Sequence, residues 1–337
     1  MVHRFVRRRR LFAVCGALLV SVAVMVAGSG ASSAAAKPSI ALFVAIQANP
    51  YEASLIAAAQ KEAKALGASL QVFDPADVPA KQVTECQDAL TTKKYNIFLI
   101  KAVAGSTMEP CAKAAIKAGI KVVAVDDPLG PAYTLAPQVP GIVGSILSLP
   151  QTAYGAEVKL DVAACKKLNP CNLAFYYGPA AFSFSAYGSK YFLAQIKKYK
   201  NIHVIASATW NFDIPTSASL ARTLLVAHPD VNVIQCDGDQ GAVAIEGVLE
   251  KAGKAGKVTV VGGGGSIQAK TAILAGKQFG TSALYPASLG KLSVLMGVNA
   301  LQGKPVGNKA YDVSIATKLG PLVDKSNVAQ FKPQWGT

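Results

Sequence analysis

Carboxylates set at the ends of apolar runs are the groups in this chain best placed to do chemistry. Asp126 closes the run KVVAV and is followed by Asp127 and Pro128, while Asp237 and Asp239 flank Gly238 after VNVIQC. A carboxylate at such a point can accept charge-assisted hydrogen bonds from the hydroxyls of a small ligand, although the same residue type also caps helices and shapes turns. Asp127, before proline, suits a turn. Of Asp237 and Asp239, one would face a ligand and the other would cap the next helix, and the sequence does not choose. Aromatic residues gather nearby: Phe182, Phe184 and Tyr187 follow one apolar run, and Trp210 and Phe212 follow the next. Small-molecule clefts are walled in this way, with a few aimed polar groups. Enzymatic chemistry has little to work with. Beyond residue 36 the histidines are His203 and His228, there is no G-x-S-x-G, C-x-x-C or H-E-x-x-H, and Gly262 to Gly265 lacks the Gly-Lys-Ser/Thr of a phosphate loop. No enzyme and no cofactor are expected.

The elements that must position these groups repeat one pattern. Ile40 to Ile46 is short and β-branched and reads as a buried parallel strand. Asn49 then suits an N-cap, Pro50 the first helical position and Glu52 the first turn, and Gly67 ends the helix before a second strand at Leu70 to Phe73. In a parallel sheet of such βαβ units the strands' carboxyl ends face the ligand crevice, which makes Gln47, Asn49, Tyr51 and Glu52 candidate contacts. Lys101, after the strand Asn96 to Ile100, and Tyr285, after Thr281, join the set. The alternation of strand and helix continues to the end of the chain. It is broken by residues 128 to 150, which hold five prolines and three glycines and read as a loop and crossing segment. A strand is expected at Asp312 to Ile315. The fold class is therefore α/β, with two doubly wound Rossmann-like lobes joined by a multi-strand hinge: 37–145 plus 286–312, and 146–285 plus 313–337.

Residues 1–36 carry an address. Arg4 and Arg7 to Arg10 form a basic head, Leu11 to Ala27 is apolar, and Ala34 to Ala36 offers a small-residue cleavage site before Lys37. This predicts a signal peptide and a periplasmic or extracellular location; an uncleaved anchor is the alternative. Removing the five arginines of the head lowers the net charge from +15 to +10 and leaves Arg222 as the one arginine. The remaining cations are scattered lysines, a solvated surface rather than a nucleic-acid face. Five cysteines remain. Cys86 and Cys111 fall on successive helices and Cys165 and Cys171 flank a short loop, so two bridges are expected, with Cys236 a buried hydrophobe.

These stretches together resemble the ribose and galactose type of periplasmic substrate-binding proteins of ABC importers (the type I periplasmic binding protein). ANPYEASLIAAAQKEAKALG is similar to that family's first-helix signature, and KVVAVDD to its strand ending in a ligand-binding aspartate, which falls on Asp126. LLVAHPDVNVIQCDGDQGAVAIEGVLEKAG, VTVVGGGGS and FGTSALYPASLG follow in the family's order. The resemblance implies a monomer that closes on a small molecule and hands it to a membrane permease. It favours Tyr51, Tyr187 and Phe212 among the aromatics as pocket residues, and Trp210 stays open between pocket and core. The chain departs from the pattern where relatives commonly carry arginine (Asp127 and Tyr187), an acid (Gly264) or an amide (Leu284). A sugar or polyol is the leading ligand, with a less polar or aromatic molecule, or presentation to a sensor partner, as alternatives. Asp126→Ala is expected to weaken binding while leaving the melting of the empty protein nearly unchanged.

Overall fold

A computed structural model describes residues 37–336. The basic head, apolar run and cleavage site expected in residues 1–36 lie outside the described residues.

Two six-stranded sheets organise the chain. The first takes β1 (Ser39–Phe43), β2 (Ser69–Phe73), β3 (Ile97–Ile100), β4 (Lys121–Asp126), β5 (Gly144–Leu147) and, from far along the chain, β11 (Ala310–Asp312). Their order is β11-β5-β4-β3-β1-β2, all parallel. The second holds β6 (Cys171–Tyr177), β7 (Ile202–Thr209), β8 (Val233–Cys236), β9 (Thr259–Gly264), β10 (Gln278–Ala283) and β12 (Leu322–Asp324), in the order β12-β10-β9-β8-β6-β7. Only β12 runs antiparallel. The apolar, β-branched strands are buried because helices cover both faces of each sheet. In the first lobe these are α1 (Pro50–Ala65), α2 (Pro79–Thr92), α3 (Glu109–Lys117) and α9 (Pro286–Leu301). In the second they are α4 (Pro150–Ala164), α5 (Ser183–Ile196), α6 (Ile214–Ala227), α7 (Asp239–Lys251) and α8 (Ile267–Leu274), and a single turn, α10 (Val313–Ala316), follows β11.

Helices α1 and α9 touch backbone to backbone. A Cβ at Gly290 would lie 2.1 Å from the Leu55 carbonyl oxygen, so only glycine fits there. Two expectations change. The proline-rich stretch delivers a paired strand, β5, before the chain crosses to α4. The strand expected at Asp312 to Ile315 ends at Asp312, because the Asp312 carboxylate accepts from the Ser314 amide at 2.9 Å and starts a helical turn.

Both cysteine bridges form, Cys86–Cys111 between α2 and α3 and Cys165–Cys171 between α4 and β6, and Cys236 is free and buried. Among the described residues no helix is long and apolar enough to cross a membrane.

Candidate ligand-binding cleft

The chain crosses between the sheets after β5, after β10 and after α10, and the carboxyl ends of the parallel strands meet at the gap between them. On the first lobe, β1 ends in a loop that leads to Asn49. Its Oδ1 accepts from the Tyr51 amide at 2.8 Å, so Asn49 caps α1 and aims its first turn at the gap. Glu52, in that turn, is buried and paired with the Lys101 ammonium. The same ammonium lies 2.9 Å from Asp126 Oδ2 and 5.1 Å over the Tyr51 ring, and the Tyr51 hydroxyl donates to Asp126 Oδ1 at 3.1 Å. Asp126 ends β4 at φ +62°, a left-handed conformation that aspartate tolerates better than most residues. Asp127 accepts from the Tyr133 hydroxyl at 2.7 Å. Gln47 is exposed on the connecting loop, apart from this network.

Burial sets the electrostatics. It raises the Glu52 carboxyl to about 7 against the opposing pull of Lys101. It also raises Asp127 to about 6, with help from the neighbouring Asp126 charge. Burial alone would lower the Lys101 ammonium, but Asp126 and Glu52 hold it well above its usual value. The lysine is therefore charged and committed to its two carboxylates. Gln82 on α2 keeps the frame in place: its amide donates to the carbonyls of Val44 and Lys101 at 2.8 and 2.9 Å, and its oxygen accepts from the Val103 amide. A glutamine inside an ordinary amphipathic helix gave no sign of this in the sequence.

On the second lobe the choice between the two aspartates is made by packing. Asp239 is fully buried, accepting from the Ser266 amide at 2.7 Å and the Thr281 hydroxyl at 2.8 Å, so it serves the interior of that lobe. It does not cap its own helix through its side chain either; Gly238 occupies the cap position of α7. Asp237 is the partly open one. It accepts from Tyr154 Oη, Trp210 Nε1 and the Gly178 amide, each at 2.7 Å. Burial raises its carboxyl and these three donors lower it. Trp210 is thereby buried behind Asp237, and Tyr285 lies inside the protein, donating to the Gly320 carbonyl at 2.9 Å. Tyr187 and Phe212 are each 41% exposed, Tyr187 beside Tyr133 and Phe212 against Trp210 and Phe182.

Two aromatic bridges span the gap, and neither was visible as such in the sequence. Tyr133, in the proline-rich loop of the first lobe, stands with its ring centroid 5.3 Å from Tyr187 and 6.5 Å from Phe184 on α5. At the other side Trp335, two residues from the end of the chain, packs edge-on against Tyr51 at 5.7 Å and donates from Nε1 to the Gly264 carbonyl at 2.7 Å. The tail is held on both lobes: Ser54 Oγ donates to the Gln334 carbonyl at 2.6 Å, and the Ile267 amide donates to the Trp335 carbonyl at 2.9 Å. Gly264 has φ +119°, and a Cβ there would lie 2.5 Å from the indole. The indole fills the space that a side chain at 264 would need. Trp335→Ala should weaken ligand binding by about 3- to 10-fold, the worth of one aromatic contact, and Trp335→Phe should recover most of it in a calorimetric titration. Unchanged affinity in the alanine variant would remove Trp335 from the cleft wall.

The family model for the periplasmic binding protein domain matches residues 40–305. The chain is 31% identical over 299 residues to the ribose import binding protein of Salmonella typhimurium, covering 89% of this chain and 96% of that protein. It is 24% identical over 270 residues to the D-allose-binding periplasmic protein of Escherichia coli, covering 80% and 86%. Among solved structures, an ABC transporter solute-binding protein of Actinobacillus succinogenes with bound D-allose superposes with TM-score 0.75 at 23% identity, covering 88% of this chain and all of that one. A Mycobacterium smegmatis solute-binding protein with bound glycerol gives 0.74 at 24% identity, covering 89% and 99%. The fold and these matches agree: the chain belongs to the periplasmic binding protein family, as a non-enzymatic solute-binding protein of the ribose and galactose type that serves ABC import.

Proposed function

We propose that this protein is exported by its N-terminal segment, acts as a monomer, and captures one sugar or polyol molecule between its lobes for delivery to a membrane permease. The observation that carries this reading is the Tyr51, Lys101 and Asp126 network at the carboxyl ends of β3 and β4. It presents a carboxylate of fixed orientation to a gap lined by phenol and indole rings. Hydroxyl groups of a ligand would donate to Asp126 and Asp237, Lys101 would hold the first of these carboxylates in place, and Tyr51, Tyr187, Phe212 and Trp335 would cover the C–H faces. In this reading the lobes divide as the sequence suggests except at the first crossing, which falls after β5 ends at Leu147 rather than at residue 145, because Ile146 and Leu147 pair with β4 of the first sheet. Contacts made by both lobes stabilise the closed form, and only that differential shifts the population.

The relatives are named for ribose and allose, which favours the hydroxyl-bearing ligand over the less polar one. The rings that suggested an apolar ligand pack largely on one another, Phe184 against Tyr154 at 5.9 Å and Trp210 against Phe212 at 5.4 Å.

Titration calorimetry against pentoses, hexoses, inositol and glycerol, paired with small-angle scattering, tests the proposal. A one-to-one complex with a smaller radius of gyration is expected for at least one compound. No uptake and no compaction across that set would overturn it. The chain's two tryptophans touch candidate site residues, Trp210 through its hydrogen bond to Asp237 and Trp335 through its contact with Tyr51, so intrinsic fluorescence should report the same event.

A further inference from the structure

We propose that a small cavity beside Tyr133 is a subsite for a protonated amine, so that the sugar or polyol taken by this cleft carries an ammonium group. The inference rests on the solute-binding reading above and narrows its ligand class.

The cavity has a volume of about 100 Å³ and is lined by Gly105, Ser106, Asp127, Pro128, Tyr133 and Ser183 among others. Ser183 begins α5 of the second lobe and the rest belong to the first, so the space lies between the lobes, next to Asp126. With about 30 Å³ for a liquid water, it has room for an amino substituent on a short carbon stem. Its lining suits a cation. Asp127 supplies a carboxylate, Ser106 and Ser183 supply hydroxyls, Tyr133 supplies an aromatic ring, and no lysine or arginine lines it.

The wider charge balance points the same way. Glu52, Asp126 and Asp127 stand together with Lys101 as their cation, and the lysine is engaged by Glu52 and Asp126. Asp127 is left with the neutral Tyr133 hydroxyl at 2.7 Å. The second Glu52 oxygen is buried with no hydrogen-bond partner. Across the gap the donors to Asp237 are all neutral: a phenol, an indole and a backbone amide. The one arginine of the folded chain, Arg222, is exposed on α6. A ligand hydroxyl could donate to Asp127, but it would leave the excess negative charge in place. An ammonium both donates and offsets it, whereas a carboxylate or phosphate ligand would be repelled.

Matched pairs of ligands test this on the intact protein at pH 7.5: D-glucosamine against D-glucose, D-galactosamine against D-galactose, and the N-acetylated form of each amine. The amine is expected to bind at least tenfold more tightly than its neutral twin, and acetylation to abolish the gain. Asp127→Asn should bring the amine-to-neutral affinity ratio close to one, and Asp127→Glu should restore part of it. Equal or tighter binding of the neutral twins to the unaltered protein overturns the inference and leaves the sugar or polyol reading standing. An amine preference that survives in Asp127→Asn overturns the subsite. If no member of either series binds, the amine inference fails, while the sugar or polyol reading is decided by the wider set of pentoses, inositol and glycerol above.

Discussion

Asp126→Asn should weaken ligand binding roughly 100-fold, the equivalent of about 3 kcal/mol lost with charge-assisted hydrogen bonds at one carboxylate. Asparagine also tolerates the left-handed backbone at this position, so the loop itself should keep its path. The alanine variant asks a different question. Read from the sequence alone, Asp126→Ala should leave the melting of the empty protein nearly unchanged. The structure reverses that expectation. Asp126 is one of two carboxylates holding the buried Lys101 ammonium, and removing it leaves the charge to Glu52 alone. Breaking a buried pair is costly, and with one partner retained about 2 kcal/mol of destabilisation is expected. Titration calorimetry and thermal melting of the two variants separate the effects. Wild-type affinity in Asp126→Asn would dismiss this carboxylate as a ligand contact, and an unshifted melting curve in Asp126→Ala would dismiss its structural share.

The Cys86–Cys111 bridge should be the largest single covalent contribution to stability. It joins residues 25 apart, and in the chain-entropy account closing a loop of that size stabilises the folded form by about 3 to 4 kcal/mol. The Cys165–Cys171 bridge spans six residues and should be worth about 2 kcal/mol by the same reasoning. Replacing each pair by serine and following denaturant unfolding should therefore rank the first lobe's bridge above the second's. A reversed ranking would mean that packing around the sulfurs, rather than loop closure, sets their worth. Thiol titration of protein lacking residues 1–36 should find Cys236 alone, and only after denaturation, since that residue is free and buried.

The sequence by itself determined the architecture, because the features that encode it are local. Apolar β-branched runs, Asn49 with Pro50 at a helix start, and carboxylates at strand ends need nothing beyond their neighbours in the chain, and the order of the units fixes parallel sheets with a crevice at the strands' carboxyl ends. The bridges were legible for the same reason, since both pairs sit on adjacent elements. The tertiary structure decided what depends on distant segments meeting. Whether Asp237 or Asp239 looks outward is settled by Ser266 and Thr281, which lie about 30 and 40 residues further on and claim Asp239 for the interior. Glycine at 264 reads as a simple turn until Trp335, 71 residues away, is seen to occupy the space beside it. Tyr133 reads as one more residue of an irregular loop until its ring is found against α5. Lys101 shows the limit most plainly: a lone lysine after a strand carries no local signal of its partners, and only the meeting of α1, β3 and β4 makes it the buried cation around which two carboxylates are arranged.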